Sequence, residues 1–202
     1  MKLYFSPGAC SLSPHIALRE AGIEFELERV DMTTRKTATG ADFSAINPMG
    51  YVPALRLDDG EILTEGAAIV QYIADQLPEA GLAPAAGTLA RARLQQHLNF
   101  VASELHKAFG PLFNANASVE AKRTAVANVG RRFDHVEGLL ADGRAFLLGD
   151  RFSVADAYLF VVSNWAKPTG IGLERWPKLA AFLERVAGRD AVQAAMRAEG
   201  LS

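Results

Sequence analysis

The residue type best suited to covalent chemistry occurs once in this 202-residue chain, as Cys10. It follows a Pro7-Gly8 turn and precedes Ser11-Leu12-Ser13-Pro14, a helix-start signal in which proline takes a first-turn place where its missing N–H costs nothing. A helix N-terminus offers unpaired N–H groups and about half a positive charge, which favours thiolate over thiol. Stabilisation of up to ~2 kcal/mol would bring an ordinary thiol pKa of about 8.5 to about 7. The other reading of a lone cysteine is a small buried apolar residue, and local sequence leaves the two open.

Three further segments carry polar groups at suggestive spacing. Asn47-Pro48-Met49-Gly50-Tyr51-Val52-Pro53-Ala54 places two prolines and a glycine ahead of a strand, so Pro53 is a candidate cis proline whose bend leaves the Val52 backbone open to an extended ligand; an ordinary loop is the alternative. Thr64-Glu65-Gly66 opens the next helix, where N–H groups suit a carboxylate and Glu65 suits an ammonium, or the three residues simply cap it. Asn99, Ser103 and His106 fall at i, i+4 and i+7, one face of an α-helix, with Lys107 beside them. A solvated face more often carries Glu, Lys and Arg, so these three suggest a cleft or partner surface. Phe109, Leu112 and Phe113 with Trp165 are candidates for an apolar wall, the alternative being plain core. His15, His97 and His135 show no metal-ligand spacing with Cys10 or one another; they are expected to be structural, and no metal site is expected.

These groups need a scaffold, and composition supports one. Half the residues are hydrophobic, ample for a core, and the formal charge of −2 with no block of like charge argues against nucleic acid or an anionic membrane surface. One cysteine makes no internal disulfide, no apolar stretch reaches the length of a membrane span, and the N-terminus lacks the apolar stretch of a secretion signal. A reducing cytoplasm is the expected compartment.

Along the chain the pattern predicts a strand over Lys2 to Phe5, a helix from Ser11 to Ala21 stopped by Gly22, and a strand over Phe25 to Asp31. A polar loop from Thr33 to Gly40 and a short helix near Asp42 to Ala45 follow. Strands at Ala54 to Leu57 and Glu61 to Thr64 are joined by Asp58-Asp59-Gly60, and a helix runs from Gly66 to Leu77. The sum is a βαβ unit followed by ββα over residues 1–77. Residues 78–87, rich in Pro, Ala and Gly, are expected to be a linker, and 88–202 an all-helical domain with helices near 88–109, 120–142, 153–168, 176–188 and 190–199. Ser153-Val154-Ala155-Asp156 after Phe152 reads as a capping box with a hydrophobic staple, Phe152 against Ala157, and loss of Ser153 or Asp156 is expected to cost ~1 kcal/mol each.

Together these stretches resemble the glutathione S-transferases, and within them the bacterial beta class. The resemblance rests on Met1-Lys2-Leu3, Pro7-Gly8-Ala9-Cys10-Ser11-Leu12, Asn47-Pro48 with Gly50, Val52-Pro53-Ala54-Leu55 and Leu63-Thr64-Glu65-Gly66. It continues through Glu104-Leu105-His106-Lys107 and Phe152-Ser153-Val154-Ala155-Asp156-Ala157-Tyr158-Leu159-Phe160, and so spans nearly the whole chain. It implies a thioredoxin-like N-terminal α/β domain, an all-α C-terminal domain, a homodimer, and a site for glutathione as co-substrate between the domains. In that family Cys10 lies at the glutathione sulfur and the Val52 backbone, next to Pro53, pairs with the cysteinyl part. Glu65 and the N–H of Gly66 would hold the γ-glutamyl end, and Asn99, Ser103 and His106 would line the site, some contacts coming from the neighbouring subunit. Gly66 replaces a frequent serine. Arg35 stands where lysine is usual, with a fork in place of a flexible point charge for the glycyl carboxylate.

The function this implies is conjugation of the glutathione thiolate to a hydrophobic electrophile held against Phe109, Phe113 and Trp165. Cys10 also suits disulfide exchange, so a glutathione-dependent reductase or reductive dehalogenase is the near rival. A non-enzymatic scaffold binding hydrophobic ligands or a partner is the alternative of another class.

Overall fold

The computed structural model describes residues 1–201. The first eighty residues build a five-stranded sheet in the order β3-β2-β1-β4-β5, with β1 Lys2–Phe5, β2 Glu26–Asp31, β3 Lys36–Thr37, β4 Ala54–Arg56 and β5 Ile62–Thr64. β1 and β2 run parallel, Leu3 opposite Leu27, because α1 (Leu12–Ala21) makes the crossover; the remaining pairs are antiparallel. Gly22 ends α1 in the left-handed conformation at φ 69°, as its place after an apolar run predicts. α2 (Phe43–Ile46) begins at Asp42, whose carboxylate accepts from the Ser44 N–H, and α3 (Gly66–Gln76) follows β5.

β3 was not expected. Its two residues lie inside the polar stretch expected to be loop, a run too short for any period of two to register. What holds this edge is Glu28 on β2, buried and accepting from both the hydroxyl and the N–H of Thr39 and from the Lys2 ammonium. The Thr39 hydroxyl first, then Lys2, hold its carboxyl down at about 2 against the opposing effect of burial.

The chain divides into two compact units, and the division corrects the expected one. The first comprises Met1–Ala83 together with the chain from Gly188 onward; the second is Pro84–Ala187. The expected linker begins instead with a 3₁₀ turn at Pro78–Ala80. The last helix, α9 (Asp190–Glu199), belongs with α1 rather than with the helical unit. Polar pairs hold it there: the half-buried Glu20 carboxylate receives a two-pronged Arg189 guanidinium at 2.5 and 2.8 Å, and buried Glu199 reaches buried His15. No feature of the α9 sequence reveals a partner some 180 residues away.

In the second unit α4 (Leu89–Asn99) runs through a π-helical turn (Phe100–Leu105) into α5 (His106–Phe113), beyond the expected end at 109. α6 (Val119–Leu139), α7 (Val154–Ser163) and α8 (Pro177–Ala187) complete it, and α7 gives way to a 3₁₀ turn at Asn164–Ala166 where one helix to 168 was expected. α7 is buried along its whole length and is the core of this unit. The capping box forms as read: the Asp156 carboxylate accepts from the Ser153 N–H at 2.8 Å and hydroxyl at 2.6 Å. It also accepts from the Leu147 N–H at 2.7 Å, which ties in the preceding loop. Among the described residues no helix is long and apolar enough to cross a membrane.

Candidate active site

Cys10 stands one residue ahead of Ser11, the residue that precedes α1. The expected charge argument meets a competitor there, since the first-turn donors are bonded to the chain itself: Leu12 N–H to Ala9, Ser13 N–H to Cys10 and His15 N–H to Ser11, while Pro14 has none. The half-buried Cys10 thiol donates to the Val52 carbonyl at 3.3 Å. A carbonyl oxygen accepts from S–H and repels S⁻, so in this state the contact favours thiol over thiolate.

The Val52–Pro53 bond is cis, so of the two readings the sequence left open the ordinary loop falls, and both residues are buried. The loop before it is braced by Asn47, whose amide nitrogen donates to the Tyr51 carbonyl at 2.7 Å while its oxygen accepts from the Met49 N–H at 3.1 Å. Gly50 sits at φ 69° with the Arg35 guanidinium packed on it: a Cβ there would lie 3.0 Å from Arg35 Nη1. Arg35 itself has φ 56°, a conformation most residues avoid, held by its N–H on Asp31 and its carbonyl on the Phe43 N–H. The loop after β2 and the loop before Pro53 thus bring Arg35, Val52 and Cys10 into one region, though Cys10 and Val52 are 42 residues apart along the chain. Glu65, also left-handed at φ 65°, is exposed at the start of α3, next to buried Gly66. Strain at a side-chain-bearing residue persists where the surroundings hold it, and it concentrates at ligand sites.

The turn carrying Cys10 has a second brace, which sequence reading missed. The Gly8 N–H donates to Glu199 Oε2 at 3.0 Å, and Glu199 Oε1 accepts from His15 Nδ1 at 2.8 Å. Because Arg19 Nε donates to His15 Nε2 at 2.9 Å, the imidazole carries its proton on Nδ1. His15 is structural, as expected, but its partner comes from α9.

In the second unit the polar stripe is broken up. A π turn accommodates an extra residue, so everything beyond it rotates by about 100° from the α-helical expectation. Asn99 and Ser103 are exposed, and the Ser103 hydroxyl is spent on the Asn99 carbonyl at 2.8 Å. His106, the first residue after the π turn, is instead half-buried among aromatics: its Nδ1 lies 3.0 Å from the Tyr158 hydroxyl and its ring meets Trp165 edge-on at 4.7 Å. Burial, and secondarily the Lys107 charge, push its pKa down to about 4, so the imidazole is neutral at pH 7. Lys107 is exposed.

The aromatic wall forms with one correction. Phe113, 54% exposed, and half-buried Trp165 meet at 5.3 Å and 90°. Phe109 is wholly buried, stacked behind Phe113 and against Phe133; it supports the wall and offers no surface to a ligand. Tyr158 was not singled out as a site residue, yet a tyrosine in the buried run of α7 must find a hydrogen-bond partner. Among the described residues no cluster could hold a metal ion.

A thioredoxin-like sheet with a cysteine at the start of its first helix, a cis proline before β4 and a separate helical unit is the architecture of the glutathione-dependent transferases. Residues 8–76 match the family described as glutathione S-transferase, N-terminal domain, and residues 100–190 the glutathione S-transferase C-terminal domain. The chain is 45% identical to glutathione S-transferase GstA of Escherichia coli O157:H7, over the full length of both. Among solved structures, a ternary complex of BphK, a bacterial glutathione S-transferase, is 58% identical with a TM-score of 0.97, and a bacterial beta class enzyme from Sphingomonas chungbukensis is 52% identical at 0.97, each over the whole of both chains. The chain belongs to the glutathione S-transferase family and, within it, groups with the bacterial beta class.

Proposed function

We propose that this protein binds glutathione and conjugates it to a hydrophobic electrophile. The observation carrying the reading is the convergence of Cys10, the Val52 backbone before the cis proline, and Arg35 in one unit. Glutathione, extended, pairs its cysteinyl main chain with Val52; Arg35 faces the glycyl carboxylate, and Glu65 with the Gly66 N–H receives the γ-glutamyl end. Asn99, Ser103, His106 and Lys107 are its further polar contacts, in an assembly of two copies, in the cytoplasm. Phe113 and Trp165 hold the electrophile.

In the reaction the glutathione sulfur gives up its proton to water and attacks the electrophilic carbon. A sulfur–carbon bond forms, a carbon–halogen bond breaks, and the halide leaves with the electron pair. Positioning and preorganised donors supply the acceleration. Disulfide exchange is the second reading, favoured by the presence of Cys10: its thiolate would attack oxidised glutathione, forming a mixed disulfide and releasing one glutathione. The bond from Cys10 to the Val52 carbonyl opposes that thiolate, so conjugation is the main activity.

Intact-mass spectrometry with oxidised glutathione, followed by conjugation of chlorodinitrobenzene, tests this on the native protein and Cys10→Ala. Conjugation in both, with a reducible adduct of one glutathione on the native chain alone, supports the reading. Absence of conjugation in both refutes it, and conjugation lost with Cys10 would make the protein's own sulfur the nucleophile.

A further inference from the structure

The β2–β3 ribbon that delivers Arg35 has a charged face of its own. Asp31 stands opposite Lys36 in the antiparallel register, and because side chains alternate along a strand, Arg29 shares their face while Glu28 and Val30 take the other. Across from Arg29 on the partner strand stands Ala38, whose N–H donates to the Arg29 carbonyl at 2.8 Å. A methyl group there leaves room. An open cavity of about 580 Å³, within the size range of small-molecule sites, is lined by Arg29, Asp31, Lys36 and Ala38 together with the hydroxyl-bearing Ser6 and Thr33.

The charges around this cavity are unevenly committed. Asp31 spends its Oδ1 on the N–H groups of Thr33 at 2.8 Å and Thr34 at 3.2 Å, at the start of the loop. Neither Arg29 nor Lys36 makes a salt bridge among the described residues, and both are exposed. The two are diagonal neighbours on adjacent strands, ~7–8 Å apart at Cβ, so their heads suit two separate acid groups on one short ligand better than the clustered oxygens of a single phosphate. A guanidinium fork takes a carboxylate through two parallel bonds, and an ammonium takes one as a point charge. We propose that this cavity is a second ligand site on the first unit, taking a small organic dicarboxylate with one acid group in the Arg29 fork and the other on the Lys36 ammonium. The site is distinct from the one proposed for glutathione: none of Cys10, Arg35, Val52, Glu65 and Gly66 lines the cavity, and Arg35, although it lies between Thr34 and Lys36 in the chain, is turned onto Gly50. The two ligands are therefore held at once.

Isothermal titration calorimetry of the full protein with succinate, at low ionic strength where exposed charges are least screened, tests this. The native chain should bind succinate, and Arg29→Gln and Lys36→Gln should each weaken binding about tenfold, the worth of one hydrogen-bonded charge. Ala38→Leu keeps both cations and fills the space across from Arg29, and it should weaken binding by a similar factor. Arg123→Gln removes an equal charge from the exposed face of α6 and should change nothing. All four positions are exposed, so the variants are expected to fold as the native chain does. Saturating glutathione should leave the affinity for succinate within about twofold. Absence of binding to the native chain, Arg29 and Lys36 variants that bind as it does, or an equal loss in Arg123→Gln overturns the proposal. So does inorganic phosphate binding as tightly as succinate, which would make this a site for a single oxyanion, and so does displacement of succinate by glutathione, which would put the acid on Arg35.

Discussion

Replacing Asp156 with alanine should destabilise the helical unit by about 3 kcal/mol at pH 7, well beyond the ~1 kcal/mol that a capping residue ordinarily contributes. The geometry sets the figure. Two buried main-chain donors, the N–H groups of Leu147 and Ser153, lose their acceptor at once, along with the Ser153 hydroxyl. Each buried donor left unpaired costs ~1–3 kcal/mol, and relief of the desolvated carboxylate offsets part of the sum. The pH dependence is the sharper test. Burial raises the Asp156 carboxyl to about 6, against three donors that favour the charged form. A folded-state pKa above the unfolded one means the native state holds the proton more tightly, so this group's stabilisation is complete below the unfolded value and is lost as pH rises through about 6. Between pH 7 and pH 5 the native protein should gain ~1.4 kcal/mol that the variant does not, so the difference widens on acidification. Urea unfolding followed by tryptophan fluorescence reads this unit specifically, because both tryptophans, Trp165 and Trp176, lie within Pro84–Ala187. A cost under 1 kcal/mol at pH 7, or a difference that shrinks toward pH 5, would refute the reasoning.

Further outcomes concern the first unit. Gly50→Ala places a side chain at φ 69° and 3.0 Å from the Arg35 guanidinium, so ~1–2 kcal/mol of stability should be lost and, as Arg35 is displaced, KM for glutathione should rise about threefold. Equilibrium unfolding and initial-rate kinetics check the two parts separately. Glu199→Ala strips the acceptor from the Gly8 N–H and His15 Nδ1 and should cost about 3 kcal/mol, with Glu199→Gln recovering part because its amide oxygen still accepts. A higher KM for glutathione in both, measured below the unfolding range, would tie the brace to the Cys10 turn; wild-type stability in the alanine variant would show the bonds to be worth little.

Local signals were enough for a good part of this protein. Gly22 after an apolar helix, Asp58-Asp59-Gly60 between alternating strands, and Ser153 three residues before Asp156 each state a backbone requirement that neighbouring residues satisfy, and each formed as read. The order of the other elements followed, β3 and the π and 3₁₀ turns apart, while the cis bond before Pro53 was one of two readings left open. Tertiary structure decided the rest. The carboxylate that braces Gly8 comes from Glu199 on the last helix, a pairing that only chain closure creates. The π turn over Phe100–Leu105 has no pattern of its own, and it took His106 off the face of Asn99 and Ser103 and set it beside Tyr158 and Trp165. The fate of the Cys10 proton was decided in the same way: sequence placed the thiol at the mouth of a helix, which favours its loss, while folding placed the Val52 carbonyl 3.3 Å away, which favours its retention. Hydrogen-bond partners distant along the chain exert their effect only through space, and no local pattern encodes where they arrive.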